Sequence, residues 1–452
     1  MKLFGTDGIR GKANVFPMVG DVAYKLGKAL VYALNETPNK KRKIIIGKDT
    51  RLSGYMLESA ITSGIVSMGA DAYLVGPMPT PAIAFLVRSM RCDAGVVISA
   101  SHNPFDDNGI KIFSHEGLKL ADELEEEIEK LIFSKELERK GALGEKIGRA
   151  YRIRDTLGRY IVFAKDTLPY SVSLEGLRIV LDCANGATYK VAPMIFEELG
   201  AEVIAINNQP NGININDKCG STHPSAILDA TRLYRADVGI AFDGDGDRVL
   251  MVDEKYNIVD GDAILAILAK DMKNKGKLNK NTVVGTSMTN YGLELFLNNI
   301  GVKLERVDVG DKNIVKRMLK EGYNLGGEQS GHIVLWDFNT TGDGIVTALV
   351  VLSVMQENRK KLSELTEGFK KIPQKTYNVA VKDKPPLDSI DEIQKAIEDS
   401  RKLLEGNGRI VVRYSGTEPL LRITAESTEN ELVEQCIKMV SKAAKKVLGG
   451  QE

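Results

Sequence analysis

The sequence predicts an α/β protein built of three similar mixed α/β domains plus a smaller C-terminal α+β domain, set around a central cleft. Three observations predict it. At 452 residues the chain exceeds what one hydrophobic core serves. Short β-rich runs alternate with helical patterns in three successive rounds, as βαβ units do. Each round ends in a polar loop at the C-terminal end of a strand, where open α/β sheets bind ligands.

The first round runs from Ile44–Ile46 through a helical pattern over Tyr55 to Met68, a strand at Ala72 to Val75 and a further helix to Ala94–Ile98. It delivers Ser99-Ala100-Ser101-His102-Asn103-Pro104. The second runs from Arg178–Leu181 through helices near Ala192 to Leu199 and Ser225 to Tyr234, with strands at Glu202 to Ile206 and Val238 to Phe242. It delivers Asp243-Gly244-Asp245-Gly246-Asp247-Arg248. The third starts near Asp262, passes Val283-Val284, Lys303 to Val307 and a helix over Lys312 to Leu319, and reaches Gly327-Glu328-Gln329-Ser330-Gly331-His332 after Asn324-Leu325. Beyond Ile372-Pro373 the order is strand, helix, strand, strand, helix, with Pro385-Pro386 as a linker or turn. The expected domains are 1–153, 154–252, 253–370 and 371–452. The Glu- and Lys-rich run from Ala121 to Lys140 reads as a solvated helical face without chemistry.

Lys plus Arg and Asp plus Glu both total 61, so the net charge is zero and nucleic acid is not an expected partner. The four cysteines, Cys92, Cys183, Cys219 and Cys436, have no metal-ligand spacing and read as reduced packing thiols, which fits the cytoplasm. The N-terminus has no apolar segment of signal-peptide length. Apolar stretches such as Ala348 to Met355 fall short of the ~20 residues a membrane span needs, so no membrane association is expected.

The loops carry the chemistry. Ser101 follows a buried strand and sits on a turn closed by Asn103-Pro104, where its hydroxyl can be reached; an ordinary serine-rich turn has the same pattern. Three carboxylates at alternate positions, Asp243, Asp245 and Asp247, repel unless a cation joins them, and hard oxygens suit magnesium or calcium. A helix-loop-helix calcium site, superficially supported by Glu254 at the twelfth position, is disfavoured by Arg248 where that loop needs glycine and by flanking strands. A solvated acidic hairpin is the plain alternative. Arg413-Tyr414-Ser415-Gly416-Thr417-Glu418-Pro419, with Arg422, offers guanidiniums and hydroxyls to a phosphate, or else is a hairpin turn with surface arginines. Glu328 and Ser330 suit sugar hydroxyls, and His332 can move a proton near neutral pH, although a lone histidine is more often structural. Lys111 can reach the same cleft; as a base it needs a lowered pKa, and otherwise it is a solvated lysine. Arg10 either clamps a phosphate or caps a sheet edge.

Together the segments FGTDGIRG, ISASHNPFDDNGIKIF, DCANGATY, AFDGDGDR, GEQSGH and SGTEP resemble the α-D-phosphohexomutase superfamily, and within it the bacterial phosphoglucosamine mutase branch. The resemblance spans the whole chain. It implies interconversion of glucosamine 6-phosphate and glucosamine 1-phosphate through a phosphoserine enzyme and a 1,6-bisphosphate, on the route to UDP-N-acetylglucosamine. It implies phosphorylation of Ser101, one Mg2+ held by Asp243, Asp245, Asp247 and the phosphate on Ser101, and Glu328 and Ser330 on sugar hydroxyls. It places Arg413, Ser415, Gly416, Thr417 and Arg422 on the phosphate that is not reacting, and Arg10, His102 and Arg248 on the one that is. Lys111 and His332 become the proton-transfer groups. The expected partners are a small sugar phosphate, a hexose 1,6-bisphosphate as activator, and a second copy in a homodimer. The Gly310-Asp311 loop is where related mutases acting on other sugars differ, and no residue in the sequence identifies itself as the reader of the 2-amino group.

Overall fold

The computed structural model describes residues 2–5, 7–34, 41–415 and 419–449. Four sheets follow one another along the chain. The first contains β1 (Phe4–Gly5), β2 (Gly8–Lys12), β3 (Lys43–Lys48), β4 (Asp71–Pro77), β5 (Ala94–Ile98), β6 (Asp107–Ser114) and β7 (Ala150–Arg152), in the order β1-β2-β6-β5-β3-β4-β7. The second holds β8 (Arg178–Asp182), β9 (Glu202–Ile206), β10 (Val238–Phe242), β11 (Val249–Val252) and β12 (Ile258–Val259), ordered β12-β11-β10-β8-β9. The third is β14-β13-β15-β16, from β13 (Thr282–Thr286), β14 (Lys303–Val307), β15 (Leu325–Gly327) and β16 (Ile333–Leu335). The last is antiparallel, β17 (Gln374–Ala380), β18 (Gly408–Tyr414) and β19 (Leu420–Ser427), with β19 central.

The rounds of the sequence are not purely parallel. In each of the first three sheets the strand that delivers the polar loop is followed at once by an antiparallel return strand: β5 by β6, β10 by β11, β15 by β16. Each loop is therefore held at both ends by a ladder. The carrier strands can sit mid-sheet because they are apolar on both faces; every residue of Ala94–Ile98 and Val238–Phe242 is buried. Helices Gly20–Ala33 and Gly54–Ser67 cross at Gly27 and Gly64, where a Cβ would come within 2.5 Å of the Ile61 carbonyl and 2.2 Å of the Tyr24 carbonyl.

One apolar core joins residues of the first three sheets, among them Ile45, Val97, Ile179, Ile240, Val283 and Leu325. The helices Gly261–Asn274 and Gly344–Asn358 pack within it, which accounts for the apolar run at Ala348 to Met355; among the described residues no helix is long and apolar enough to cross a membrane. The four cysteines are free and buried, as packing thiols would be. The fourth sheet has its own core, around Val379, Ile393, Leu421, Ile423 and Val440.

The junction between third and fourth sheets is polar. Arg409 donates to the Ser287 and Thr289 carbonyls at 2.7 and 2.8 Å, and Glu426 accepts the Tyr291 amide at 2.7 Å. Asn290 bonds both backbone groups of Ile372, at 3.1 Å each, and the Ser427 amide bonds the Pro373 carbonyl at 3.2 Å.

The charged run departs from its expected form. Its helix is only Asp122–Phe133, it buries Ile128, Leu131 and Ile132, and its Asp122 and Glu125 accept Lys312 of the third unit at 2.7 and 2.8 Å. A face expected to meet only water is in part an ionic seam.

Candidate active site

Ser101 lies on the loop leaving β5, in the left-handed region at φ 54°. For a residue with a Cβ that conformation costs roughly 1–2 kcal/mol and persists only when neighbours hold it. Its amide donates to Ser99 Oγ at 2.9 Å, and Ser99 donates to Asp49 at 2.6 Å. Its hydroxyl does not face open solvent as expected of a loop serine: Ser101 is 1 % exposed and Oγ donates to Asp243 Oδ2 at 2.6 Å.

Asp243, Asp245 and Asp247 occupy the turn between β10 and β11, made possible by Gly246 at φ 71°. All three are buried, with one carboxylate oxygen of each within 4.8 Å of the others. Burial, then the Asp247 and Asp245 charges, push the Asp243 carboxyl well above its ordinary range. Asp245 Oδ1 and Asp247 Oδ1 are buried and lack a hydrogen-bond partner. Orphaned, mutually repelling hard oxygens in a dry turn fit a divalent cation. A solvated hairpin does not describe them, and Glu254 is instead engaged by Ser363 Oγ at 2.5 Å.

Lys111, on β6, is neither solvated nor electrostatically set up as a base. It is 1 % exposed, with Nζ 2.9 Å from Asp245, 3.2 Å from Asp7 and 3.5 Å from Asp247. Burial pulls its pKa down, but Asp245, Asp7 and Asp247 outweigh it, so Lys111 is held firmly as an ammonium. Thr80 supports the same Asp245 oxygen at 2.7 Å.

His332 is buried, with Nδ1 3.6 Å from Asp247 and Nε2 3.8 Å from Asp311. The Gly342 amide donates to Nε2 at 3.2 Å, so the ring proton of the neutral form sits on Nδ1, facing Asp247. Burial opposes a second proton; hydrogen bonding and charge from Asp247, with Asp311 and Glu328, prevail and raise the pKa. Lys119 ion-pairs with both Asp7 and Asp311, fastening the first unit to the third beside the site.

His102 Nδ1 is 3.3 Å from Ser101 Oγ, and burial, then Arg248 and Arg10, lower its pKa to about 4, leaving it neutral at pH 7. Arg10 caps no sheet edge: β2 pairs with β1 and β6 on either side. Arg10 ion-pairs with Asp7 and Arg248 Nε lies 3.8 Å from Asp247, yet the Nε of each is buried without a hydrogen-bond partner. Two guanidiniums with unmet donors around a serine suit a phosphate dianion.

Glu328 and Ser330 follow β15. Glu328 accepts the Gly310 amide and Ser330 Oγ at 3.2 Å each, so the Gly310-Asp311 loop helps position it. Arg413 and Arg422 stand directly opposite each other on β18 and β19. Burial, then the Arg422 charge, lower the Arg413 pKa, and two guanidiniums side by side suit an anion. Ser415 is buried and its carbonyl accepts Lys384 at 2.6 Å. Gly416 and Thr417 lie outside the described residues.

Sequence reasoning missed Asp7, Arg51, Thr80, Lys119 and Asn216, and named the Gly310-Asp311 loop without seeing that Asp311 meets Lys119 and His332. Of these, Asp7 and Arg51 had a signal, since each stands in a short charged and glycine-bearing stretch after or before a strand. Thr80, Lys119 and Asn216 act through contacts over 100 or more residues.

Four matches cover nearly the whole chain. Residues 1–139, 159–257 and 260–372 match the phosphoglucomutase/phosphomannomutase alpha/beta/alpha domains I, II and III, and 377–443 match the C-terminal domain. The chain belongs to the phosphoglucomutase/phosphomannomutase family. Among curated members of this family, the phosphoglucosamine mutase of Citrifermentans bemidjiense is 52% identical over 450 residues, covering 100% of this chain and 99% of that protein. That of Geobacter sp. strain M21 is 53% identical with the same coverage. Solved family structures share the fold. A phosphoglucomutase/phosphomannomutase family protein from Burkholderia thailandensis superposes with TM-score 0.81 at 22% identity, covering 98% of this chain and 97% of that one. The Aspergillus fumigatus N-acetylphosphoglucosamine mutase, solved in complex with GlcNAc-6P and magnesium, gives 0.66 at 17% identity over 99% and 96%. The superfamily resemblance of the sequence and its three-plus-one fold class both hold.

Proposed function

We propose that this family member is a phosphoglucosamine mutase that interconverts glucosamine 6-phosphate and glucosamine 1-phosphate through phospho-Ser101. The observation that carries the chemistry is Ser101 Oγ, 2.6 Å from Asp243 in the buried carboxylate triad and flanked by His102. The choice of sugar rests on the full-length phosphoglucosamine mutase relatives.

In the first half, the 1-hydroxyl oxygen attacks phosphorus on Ser101; the O1–P bond forms, the Oγ–P bond breaks, and glucosamine 1,6-bisphosphate results. After the bisphosphate turns over in the cleft, Ser101 Oγ attacks phosphorus at the 6-position. The Oγ–P bond forms and the O6–P bond breaks, O6 takes up a proton, and glucosamine 1-phosphate leaves with phosphoserine regenerated. Arg10, Arg248 and His102 donate to the transferring group as its charge spreads. Lys111 and His332 are the proton-transfer groups, one taking the proton of the attacking hydroxyl and the other supplying one to the departing oxygen, with the roles exchanged between the two halves. Arg413, Ser415, Gly416, Thr417 and Arg422 grip the idle phosphate, and Glu328 and Ser330 read the sugar hydroxyls. Asp243, Asp245 and Asp247, with the phosphate on Ser101, would hold Mg2+, the ion in the fungal relative. When bound it supplies positive charge to the phosphoryl oxygens.

The same reading makes the protein a cytoplasmic homodimer, first phosphorylated by a hexose 1,6-bisphosphate, with units dividing after residues 153, 252 and 370. The test is a side-by-side assay of the phosphorylated protein on glucosamine, glucose and mannose 6-phosphates with magnesium. Preference for glucosamine 6-phosphate is expected. Preference for another sugar overturns the substrate, and full turnover by Ser101→Ala overturns the mechanism.

A further inference from the structure

Arg51 is completely buried and uses a guanidinium's full set of five N–H donors. Nε bonds Asp49 at 2.8 Å. Nη1 bonds the Pro104 and Asp107 carbonyls, the latter at 3.1 Å, and Nη2 bonds the Ser101 and Asn103 carbonyls at 2.9 Å each. Three of the five donors thus end on the serine loop and a fourth on the first residue of β6, which closes it. From the second unit, Asn216 Nδ2 reaches the same two carbonyls, Ser101 at 2.9 Å and Asn103 at 3.0 Å. Each of these oxygens has both lone pairs engaged, one by a donor from each unit. Asp49 closes the arrangement: it pairs with Arg51 and accepts Ser99, which in turn caps the Ser101 amide.

A serine at φ 54° relaxes toward the ordinary region unless its peptide planes are fixed. Rotation there would carry Oγ away from Asp243. We propose that Arg51 and Asn216 are positioning residues that hold the Ser101 peptide in its strained form, so that alignment of the phosphate carrier depends on the first two units being docked. The inference rests on the reading of Ser101 as the phosphorylated serine.

The decisive comparison is Asn216→Ala against Asn216→Asp in the full-length protein. Asp has nearly the shape of Asn but presents acceptors to two carbonyls, so a packing role leaves it active and a donor role does not. With the hexose 6-phosphate that the wild type turns over, magnesium and glucose 1,6-bisphosphate, kcat is expected to fall roughly tenfold in Asn216→Ala and on the order of 10²-fold in Asn216→Asp. KM is expected to stay within about twofold in both. Arg51→Lys, which keeps the charge but only part of the fork, is expected to behave like Asn216→Asp. Circular dichroism and thermal unfolding set the folded fraction used to scale kcat. If Arg51→Lys does not fold, the Asn216 pair decides alone. The proposal is overturned if Asn216→Asp keeps kcat within twofold of wild type, or if its loss only tracks the folded fraction. Intact mass of the wild type separates the two layers: no phosphate on Ser101 after the bisphosphate treatment sinks the mechanism itself, whereas a phosphorylated wild type with active Asn216→Asp sinks only the positioning role.

Discussion

Gly244 offers the most direct test of how rigid the site is. Lying between two triad carboxylates, it would, as alanine, bring a Cβ to 2.5 Å from the Ser101 carbonyl oxygen, 2.8 Å from Asn216 Nδ2 and 2.9 Å from Ile215 Cδ1. Ordinary contact, which begins near 3.4 Å, requires the oxygen to retreat by about 0.9 Å or more. That oxygen is backbone and is held by Arg51 and Asn216, so the serine loop or the triad turn has to move. Overpacking of this kind costs about 1–3 kcal/mol, and misplacing a reacting group by about 1 Å costs on the order of 10²-fold in rate. Gly244→Ala is therefore expected to lower kcat 10- to 100-fold, with KM little changed and a modest fall in melting temperature. Gly158→Ala is the control: its Cβ meets nothing within 4 Å inside the helix Thr156–Lys165, so kcat should hold and stability should rise by up to about 1 kcal/mol. Wild-type kcat in Gly244→Ala would refute the idea of an unyielding notch around Ser101.

Other substitutions probe the remaining parts. Ser101→Ala should lose mutase activity and take up no phosphate by intact mass, while circular dichroism stays native. Arg422→Ala should act mainly on binding, raising KM by roughly 10- to 100-fold for the loss of charge-assisted bonds worth about 1.5–3 kcal/mol; an unchanged KM would move the phosphate grip elsewhere. Burial, with Asp260 nearby, raises the Asp262 pKa from 3.8 to about 7. Between those pH values the folded chain keeps a proton that the unfolded chain has released. This group's contribution is thus intact below about pH 4, drains as pH rises to 7 and then levels off, for a total of up to about 4 kcal/mol. Asp262→Asn should remove that slope, so its urea midpoint relative to wild type should climb from pH 5 to pH 8. Chelating divalent cations should abolish turnover and lower stability little, because the triad then returns to Lys111 as counter-charge; measurement is by activity and melting before and after restoring magnesium.

What could be read in the chain was what lies close along it. The carrier strands Ala94–Ile98 and Val238–Phe242 were legible because an apolar run bounded by glycine and polar residues is a local signal, and so were the loops after them. The acidic triad was legible for the same reason. Burial of Lys111 was not: it follows from Asp7, Asp245 and Asp247 converging from two units. The same holds for Asn216, whose partners lie 113 and 115 residues away, and for Lys119 between Asp7 and Asp311. Periodicity reports which way a side chain faces, not what another sheet brings to meet it. The antiparallel return of β6 and β16 was hidden in a similar way, since both are largely buried and so do not alternate as a half-exposed strand would.

The Asn290 bonds to Ile372 bear on the fate of the intermediate. They pin the tether at residue 372, and β17 begins at Gln374, so almost no free chain separates the third sheet from the fourth. A short tether keeps the local concentration of a linked site high, and each added residue dilutes it. On the proposed mechanism Arg413 and Arg422 would therefore travel on a short leash, staying near one end of a bisphosphate when they release the other, which favours recapture over escape. If the intermediate is retained in this way, lengthening the tether should make it leak into solution, seen as free hexose bisphosphate during turnover.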